Sequence, residues 1–192
     1  KNQTPRLLIN VSNHLGRGRA QDGYVRINPD LQEIEGYVTT FGSFSGRFGG
    51  IKVYFVAQLN QSFESFALWN SNEFKENVTE TSGDSVGVEL GFPQKEQEQT
   101  VELKLAISYV SLENARENHS AEIANLTFND IYEKAKSSWE EKLGLFEIEG
   151  ATEEQKTVFY TALFRSFQMP TEFNDVNGDY MGFDKQVHKA ED

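Results

Sequence analysis

The stretch VELKLAISYVSLENA, residues 101–115, decides the fold because its apolar periodicity changes along its length. From Val101 to Tyr109 apolar and polar residues alternate, which predicts a half-buried β-strand. The residues on its apolar face are Val101, Leu103, Leu105, Ile107 and Tyr109. Ser111 then has a side chain suited to capping a helix, and we predict that this helix starts at Leu112. The chain therefore changes from strands to helices here.

The residues before this stretch predict an antiparallel all-β domain. Short runs with period two are separated by clusters of Gly, Asn, Asp and Pro. The candidate strands are Leu7 to Val11, Gly23 to Ile27, Ile34 to Phe41, Ile51 to Leu59, Phe63 to Trp69, Val86 to Phe92 and Val101 to Val110. The run from Ile51 is apolar on both faces, which indicates a strand covered on both sides, as in a sandwich. The glycine-rich segment 41–50 predicts a hairpin loop.

After this stretch the apolar residues recur at helical spacing. The run from Phe128 to Leu143 predicts a helix, and Trp139 lies on its apolar stripe, where packing is its expected role. Thr152 and Gln155 form a capping box, which predicts the start of the next helix. Between these helices, Leu145 to Ile148 predicts a crossing strand or an extended linker.

The composition excludes several classes of function. The chain has 192 residues, a net charge of -12 and a pI near 4.7, and this negative charge repels phosphate backbones and anionic lipid headgroups. We therefore expect neither a nucleic acid nor a membrane partner. No cysteine occurs, which excludes disulfides, a thiol nucleophile and a cysteine-based zinc site. No apolar run reaches the roughly 18 residues that a bilayer-spanning helix needs.

Three stretches of the chain form a more specific pattern when they are taken together. The first is the strand-to-helix passage at residues 107–115, and the second is the tryptophan-containing helix at 128–143. The third is FYTALFRSFQMP, residues 159–170, followed by Asp175, Gly178, Tyr180, Gly182 and Asp184. The combination resembles glycoside hydrolase family 92, a family of α-mannosidases.

The resemblance implies a protein larger than this chain. Members of the family join an N-terminal β-sandwich through helices to an (α/α)6 barrel, and they are calcium-dependent, exo-acting and inverting. We therefore expect a fold that is mainly β with C-terminal α. The expected parts are an antiparallel β-sandwich without its N-terminal part in residues 1–111, linker helices in 112–150 and the truncated start of the barrel domain in 151–192.

The resemblance also implies where the chemistry lies. The barrel supplies the general acid, the general base and the calcium ligands in the family, so we assign no catalytic residue in this chain. We expect the chain alone to be inactive. We expect its partners to be a mannose-containing glycan and the barrel of the longer polypeptide to which it belongs, the parent chain. For the parent protein we expect a secreted, periplasmic or cell-surface location.

One acidic loop is a candidate metal site. Asp175, Asn177 and Asp179 place oxygen atoms at alternate positions, as in a calcium-binding loop, and calcium is the metal that the resemblance implies. The calcium-loop template is matched only in part, because Gly178 precedes the third ligand and Gln186 stands where a glutamate is usual. A plain Asn-Gly turn with solvated carboxylates is the alternative, and the mismatch favours it.

Trp69, Tyr180 and Asp184 are the candidate substrate-binding residues. Trp69 ends a predicted strand, and an aromatic face suits the apolar side of a pyranose, although packing within the domain is the alternative. Tyr180 and Asp184 precede the expected active-site segment of the family. The resemblance therefore implies a position at the rim of the sugar pocket or, alternatively, a role in supporting the domain interface.

Three functions remain open from the sequence. The first is a sandwich-and-linker scaffold for the catalytic barrel of an α-mannosidase, and the predicted helices favour it. The second is a stand-alone carbohydrate-binding β-sandwich module, and the third is a purely structural interaction domain. In the first case the helix at 153–168 exposes Phe159, Leu163 and Phe167, so we expect self-association through this face.

Overall fold

The computed structural model describes residues 4–14, 16–71, 73–95 and 98–190. Within these ranges the chain forms eleven β-strands and three α-helices. The strands are β1 (Arg6–Asn10), β2 (Arg19–Asn28), β3 (Glu33–Phe41), β4 (Ile51–Leu59), β5 (Ser65–Asn70), β6 (Glu73–Glu76), β7 (Glu80–Gly83), β8 (Val86–Gly91), β9 (Leu103–Ser108), β10 (Asp179–Met181) and β11 (Val187–Lys189). The helices are α1 (Leu112–Glu122), α2 (Phe128–Leu143) and α3 (Glu153–Ser166).

Two antiparallel sheets form a β-sandwich, so the predicted fold class is confirmed. One sheet has the strand order β1-β8-β5-β6, and the other has the order β7-β2-β3-β4-β9. Side chains from both sheets meet in one apolar core, which includes Val25, Ile34, Leu68, Val88 and Leu90. Burial of an aliphatic side chain of this size contributes about 1.5–3 kcal/mol. The core therefore holds the two sheets together.

The seven predicted strands all overlap strands of the structure, whereas β6, β7, β10 and β11 are not among the predicted strands. The sequences of β6 and β7 are EFKE and ETSG, and neither alternates between apolar and polar residues. Both are short strands at sheet edges, where little apolar surface is buried. The loop between β3 and β4 closes an antiparallel pair, so the hairpin predicted at the glycine-rich segment is confirmed.

Strand β4 is covered on both sides, as its sequence predicts. Phe55 and Ala57 belong to the sandwich core, and Val56, which points the opposite way, is also buried. Helix α1 packs on this outer face, across β3, β4 and β9. The predicted layer over the sheet is therefore α1.

Strand β9 lies at the edge of the five-stranded sheet, and its burial is the reverse of what its apolar alternation indicates. Leu105 pairs with the core residue Ala57, so the apolar face of β9 points inward, but Leu105 remains 47% exposed at the sheet edge. Ala106 and Ser108 lie on the other face and are buried on the side that α1 covers. The helix, and not the core, buries this strand.

Helix α1 starts at Leu112 with Ser111 as its cap, as predicted, since the Ser111 hydroxyl accepts a hydrogen bond from the Asn114 backbone N–H. Arg116 binds the helix to the outer face of β3 through two ion pairs. Its guanidinium donates to Glu33 at 2.6 Å and also to Glu35, and both glutamates are buried. Buried carboxylates need such partners, because an unpaired buried charge is costly.

Residues 125–173 form a compact unit of their own, while residues 1–124 and 174–192 form the other. In the helical unit, the rings of Trp139 and Phe164 are 4.3 Å apart, which confirms that Trp139 packs. The capping box of Thr152 and Gln155 is also present. Residues 145–148 form no strand, so the extended-linker alternative holds there. None of the helices in the described ranges has the length and hydropathy needed to cross a bilayer.

Candidate functional site

The loop after helix α3 carries five of the six predicted site residues, and it belongs to the same unit as the sandwich. Asp175 holds it in place. The Asp175 carboxylate accepts hydrogen bonds from the Ser108 hydroxyl at 2.6 Å, the Asn114 amide at 2.8 Å and the Asn118 amide at 2.7 Å. Asp175 is 5% exposed, so these donors replace the water that a carboxylate loses on burial. We call these four residues the Asp175 anchor.

The three donors of the Asp175 anchor are positioned by regular structure. Ser108 is the last residue of β9, and Asn114 and Asn118 lie one turn apart on the same face of α1. The Asn118 amide also donates to the backbone carbonyl of Ile107 at 2.9 Å. This hydrogen bond connects the helix and the strand directly, in addition to their shared contact with the carboxylate.

A tight turn follows Asp175. The Gly178 N–H donates to the Asp175 carbonyl at 2.8 Å, and the Asp175 N–H donates to the Asp179 carbonyl at 2.8 Å. Gly178 has a φ of 87°, in the left-handed region that glycine adopts at little cost. The Asn177 side chain accepts from the Asp179 N–H and donates to Glu117 of α1. This is an Asn-Gly turn, as in the alternative to a calcium loop, but the Asp175 carboxylate is buried and not solvated as that alternative expects.

The oxygen atoms of the three predicted calcium ligands already have partners. Both Asp175 oxygens accept hydrogen bonds, and Asn177 accepts one within the turn. The Lys189 ammonium lies 3.2 Å from Asp179 and, with the Asn114 amide, lowers the pKa of that carboxyl group. Among the described residues no group of three or more His, Cys, Asp or Glu side chains is arranged to hold a metal ion. These contacts do not fit a calcium loop and favour the Asn-Gly turn; calcium binding here stays a prediction.

Strands β10 and β11 pair to form what we call the tail hairpin, residues 179–189. Tyr180 and His188 are cross-strand neighbours, and their ring centroids are 5.6 Å apart. The His188 Nε2 atom lies 2.9 and 3.0 Å from the two Asp184 oxygens. The Gln186 backbone N–H, together with His188, lowers the pKa of Asp184. His188 therefore contacts both Tyr180, which is half-buried, and Asp184, which is an exposed, ionised carboxylate that only accepts hydrogen bonds.

Aromatic side chains of the glycine-rich loop lie beside the tip of the tail hairpin. The rings of Phe48 and Phe183 are 6.2 Å apart, and those of Phe44 and Phe48 are 5.2 Å apart. Phe183 is 88% exposed. A Cβ atom on Gly49 would lie 2.6 Å from the Lys185 ammonium, so the absence of a side chain allows this close approach. The hairpin tip and the loop between β3 and β4 therefore form one surface.

Trp69 lies elsewhere. It belongs to β5 in the four-stranded sheet, where its ring contacts Phe74 at a centroid distance of 5.6 Å. The tail hairpin is held by β9 and α1, which belong to the other side of the sandwich. The three predicted substrate-binding residues are thus divided between two surfaces.

Two groups of the site were not assigned from the sequence. Asn114 and Asn118 hold Asp175, and their spacing of four residues on a predicted helix was the available signal. His188 pairs with Asp184, and the turn between them brings residues four apart into contact. The partner of Asn114 and Asn118 lies about 60 residues away and is seen only in the structure, whereas the contact between Asp184 and His188 is local.

Two family descriptions match the amino-acid sequence. Residues 1–108 match the glycosyl hydrolase family 92 N-terminal domain, and residues 114–192 match the glycosyl hydrolase family 92 catalytic domain. Ser108 is the last residue of the first match, and Asp175 lies in the second. The Asp175 anchor therefore joins the two matched regions. A search of curated proteins found no match.

Several solved structures have a similar fold. The family GH92 α-mannosidase BT3965 from Bacteroides thetaiotaomicron is 28% identical over 97% of this chain, with a TM-score of 0.82. The family GH92 glycosyl hydrolase ccman5 is 25% identical over 98%, with a TM-score of 0.86. The family GH92 inverting mannosidase BT2199 from Bacteroides thetaiotaomicron, at 23% identity and a TM-score of 0.83, shows the shared fold. The chain spans 24–25% of the length of these proteins.

Proposed function

This chain belongs to glycosyl hydrolase family 92, and we propose on that premise that it is the non-catalytic sandwich and linker part of a longer α-mannosidase. We refer to the longer polypeptide as the parent protein. The proposal divides the chain into a sandwich in residues 1–111, linker helices in 112–150 and the start of the barrel domain in 151–192. Its role is to serve as a scaffold for the catalytic barrel.

The Asp175 anchor is the observation that carries this proposal. It binds a loop of the catalytic-domain match to Ser108, the last residue of the N-terminal match, through one hydrogen bond. Two further hydrogen bonds connect the same loop to Asn114 and Asn118 of α1, which lie within the catalytic-domain match. A buried carboxylate with three donors holds its position tightly, because release would leave the charge buried without partners. The sandwich then fixes the orientation of the tail hairpin, which supports a positioning role in the parent protein.

The tail hairpin is the part of this chain that we assign to the substrate. Asp184 accepts hydrogen bonds and is exposed, and Tyr180 offers an aromatic face beside it. Sugar hydroxyl groups donate to carboxylates, and a pyranose ring has an apolar side that suits an aromatic face. Tyr180 and Asp184 therefore contact the mannose-containing glycan at the rim of the pocket, with His188 holding the Asp184 carboxylate.

The remaining chemistry belongs to the parent protein in this proposal. Inverting hydrolysis needs two carboxyl groups roughly 6.5–9.5 Å apart, one as acid and one as base. Neither is assigned in this chain, and calcium, which supplies charge stabilisation when bound, is assigned to residues outside it. The parent protein acts from the outer end of a glycan, in a secreted, periplasmic or cell-surface location where such polymers occur.

Kinetic measurement on the parent protein tests the hairpin assignment. Asp184→Asn and Tyr180→Ala should lower kcat/KM for an aryl α-mannoside about 10- to 100-fold, since the first removes the accepting carboxylate and the second removes the aromatic face. Thermal stability should change little in Asp184→Asn, because the Asp184 side chain is exposed on the hairpin. Asp30→Asn is the matched control, as Asp30 is an exposed aspartate in another loop. Wild-type kcat/KM in both hairpin variants would contradict the assignment.

The alternative is a stand-alone carbohydrate-binding module. The aromatic surface around Trp69 favours some binding function of the sandwich itself. The catalytic-domain match over residues 114–192 favours the scaffold, because a binding module needs no such segment. The two functions are compatible if the sandwich carries a second glycan contact.

A further inference from the structure

Trp69 lies on the outer face of the four-stranded sheet, where its cross-strand neighbours are Phe74 on β6 and Gly87 on β8. A Cβ atom on Gly87 would lie 2.0 Å from the Trp69 ring, so the indole lies directly over the glycine. The glycine allows the ring to lie close to the strand backbone. The Phe74 ring stands beside the indole at 44° and is 58% exposed. Two aromatic rings are therefore held on this face in fixed positions.

Polar and small residues surround the two rings. Asn10 is the next cross-strand neighbour beyond Gly87 in the same row, and it is exposed. In the adjacent row the cross-strand neighbours of Glu89 are Leu8 and Ala67, and Glu89 also forms an ion pair with Arg6. This pair offers hydrogen-bonding groups without a net charge. We call Asn10, Trp69, Phe74, Gly87 and Glu89 the Trp69 face. Gly87 adds no side chain to this face.

The chemistry of the Trp69 face selects a neutral sugar. A pyranose has an apolar side that stacks on an aromatic ring, and a rim of hydroxyl groups that bind amides and carboxylates. The net charge of -12 disfavours anionic ligands, and the paired Arg6 and Glu89 provide no isolated charge for an ion. Aromatic rings on a surface without excess positive charge therefore fit a neutral glycan better than an acidic one.

We propose that the Trp69 face is a second glycan-binding site, separate from the tail hairpin. The Trp69 face belongs to the four-stranded sheet, and the hairpin is held by α1 and β9 at the five-stranded sheet. That the glycan contains mannose rests on the proposed α-mannosidase function, whereas the site itself rests on the geometry around Trp69. A second contact with the same polymer raises the effective concentration of chain ends near the parent protein.

Electrophoresis through gels that contain α-mannan tests the proposal on this chain. The wild-type chain should be retarded, Trp69→Ala should bind at least about tenfold more weakly, and Phe74→Ala should show an intermediate loss. Phe183→Ala and Asp30→Asn are the matched controls, because both residues are exposed and lie outside the Trp69 face, and both variants should be retarded like the wild type. Circular dichroism and thermal unfolding check that the variants are folded.

A second measurement keeps Trp69 in place. The chain has two tryptophans, so Trp139→Phe leaves Trp69 as the source of the tryptophan fluorescence. Titration of this variant with mannan oligosaccharides should shift the emission. An unchanged emission, equal retardation of Trp69→Ala and wild type, or a loss caused by Phe183→Ala instead would overturn the proposal. Retardation in xylan that depends on Trp69, without retardation in mannan, would support the site and contradict the mannose assignment.

Discussion

The hydroxyl group of Ser108 lies 2.6 Å from the carboxylate of Asp175, although the two residues are 67 positions apart in the chain. Ser108 ends the last strand of the sandwich, and Asp175 lies in the loop after helix α3. The contact therefore connects the loop after α3 to the sandwich across a long stretch of chain. Because Asn114 and Asn118 bind the same carboxylate, a single charged group connects the strand, the first helix and the tail hairpin.

Asp175→Asn tests the Asp175 anchor. The substitution keeps the shape of the side chain but removes its charge. It also places an amide N–H group opposite the N–H and O–H donors of the Asp175 anchor, which then lack an acceptor. We expect the free energy of unfolding to fall by about 2–4 kcal/mol, because hydrogen bonds to a charged group are lost in a buried site. Chemical denaturation followed by circular dichroism measures the change.

Asp30→Asn is the control for the loss of one negative charge. Asp30 is exposed, so its substitution should change the unfolding free energy by less than about 0.5 kcal/mol. Limited proteolysis should cut the Asp175→Asn variant faster near the tail hairpin than either the wild type or the control. Equal stability and equal proteolysis in the two variants would show that the anchor does not hold the hairpin.

Arg116 and Glu33 offer a double-mutant cycle at the interface of α1 with the sheet. Arg116→Ala should cost about 1–3 kcal/mol, because it leaves the buried Glu33 without its ion pair while the exposed part of Arg116 is screened by water. Glu35 keeps its contact with Arg26. Adding Glu33→Gln to Arg116→Ala should recover part of the loss. Additive losses in the double variant would mean that the pair is not coupled.

His119 should make the stability of the sandwich unit depend on pH. Its side chain is 6% exposed, its Nε2 atom has no hydrogen-bond partner in the described structure, and Glu33, Lys104 and Arg116 face it. Burial lowers its pKa, so the folded state favours the neutral imidazole. Stability should therefore be complete above the ordinary histidine pKa of about 6.5 and be lost as the pH falls through that value toward the lower pKa of the folded state.

Thermal unfolding across this pH range measures the effect of His119. His119→Leu should flatten the decline in Tm below about pH 6.5, since no imidazole remains to be protonated at this site. His188→Gln is the control, because His188 is exposed on the tail hairpin. The interpretation fails if the His119→Leu variant loses stability with pH as steeply as the wild type.

Helix α3 should promote self-association of this chain. Phe159 and Phe167 are each 37% exposed on the helix that is predicted to pack against the barrel. Sedimentation velocity should show a concentration-dependent increase in size, and a double Phe159→Gln, Phe167→Gln variant should remain monomeric to higher concentration. Phe183→Gln removes an exposed phenylalanine from the other unit and should leave the association unchanged. A wild-type chain that stays monomeric at high concentration would contradict the prediction.

Local patterns in the sequence were sufficient for most elements of the fold. The continuous apolar run around Phe55 and Val56 identified a strand buried on both faces, and the capping residues Ser111 and Thr152 marked the starts of α1 and α3. These features depend on contacts within a few residues. The burial of β9 depends instead on α1, so the periodicity of Leu105 and its neighbours did not predict which face is covered.

The contacts within the site could be predicted from the sequence less well than the fold, for the same reason. Asp175 was identified as a candidate oxygen ligand for a metal in a turn, but its hydrogen-bond partners Ser108 and Asn118 lie far away in the chain. No local spacing distinguishes a carboxylate that accepts amide hydrogen bonds from one that binds calcium. Trp69 was a candidate sugar-binding residue from the sequence. Its position over Gly87 follows from the pairing of β5 with β8, which the sequence does not show.

We propose that this chain is the supporting part of an α-mannosidase whose chemistry lies in the rest of the parent protein. The decisive measurement is the hydrolysis of an aryl α-mannoside by the purified chain and by the parent protein, each with and without a chelator. We expect chelator-sensitive turnover by the parent protein and none by the chain alone. Turnover by the chain alone that a chelator abolishes, or a parent protein inactive on every α-mannoside, would contradict it.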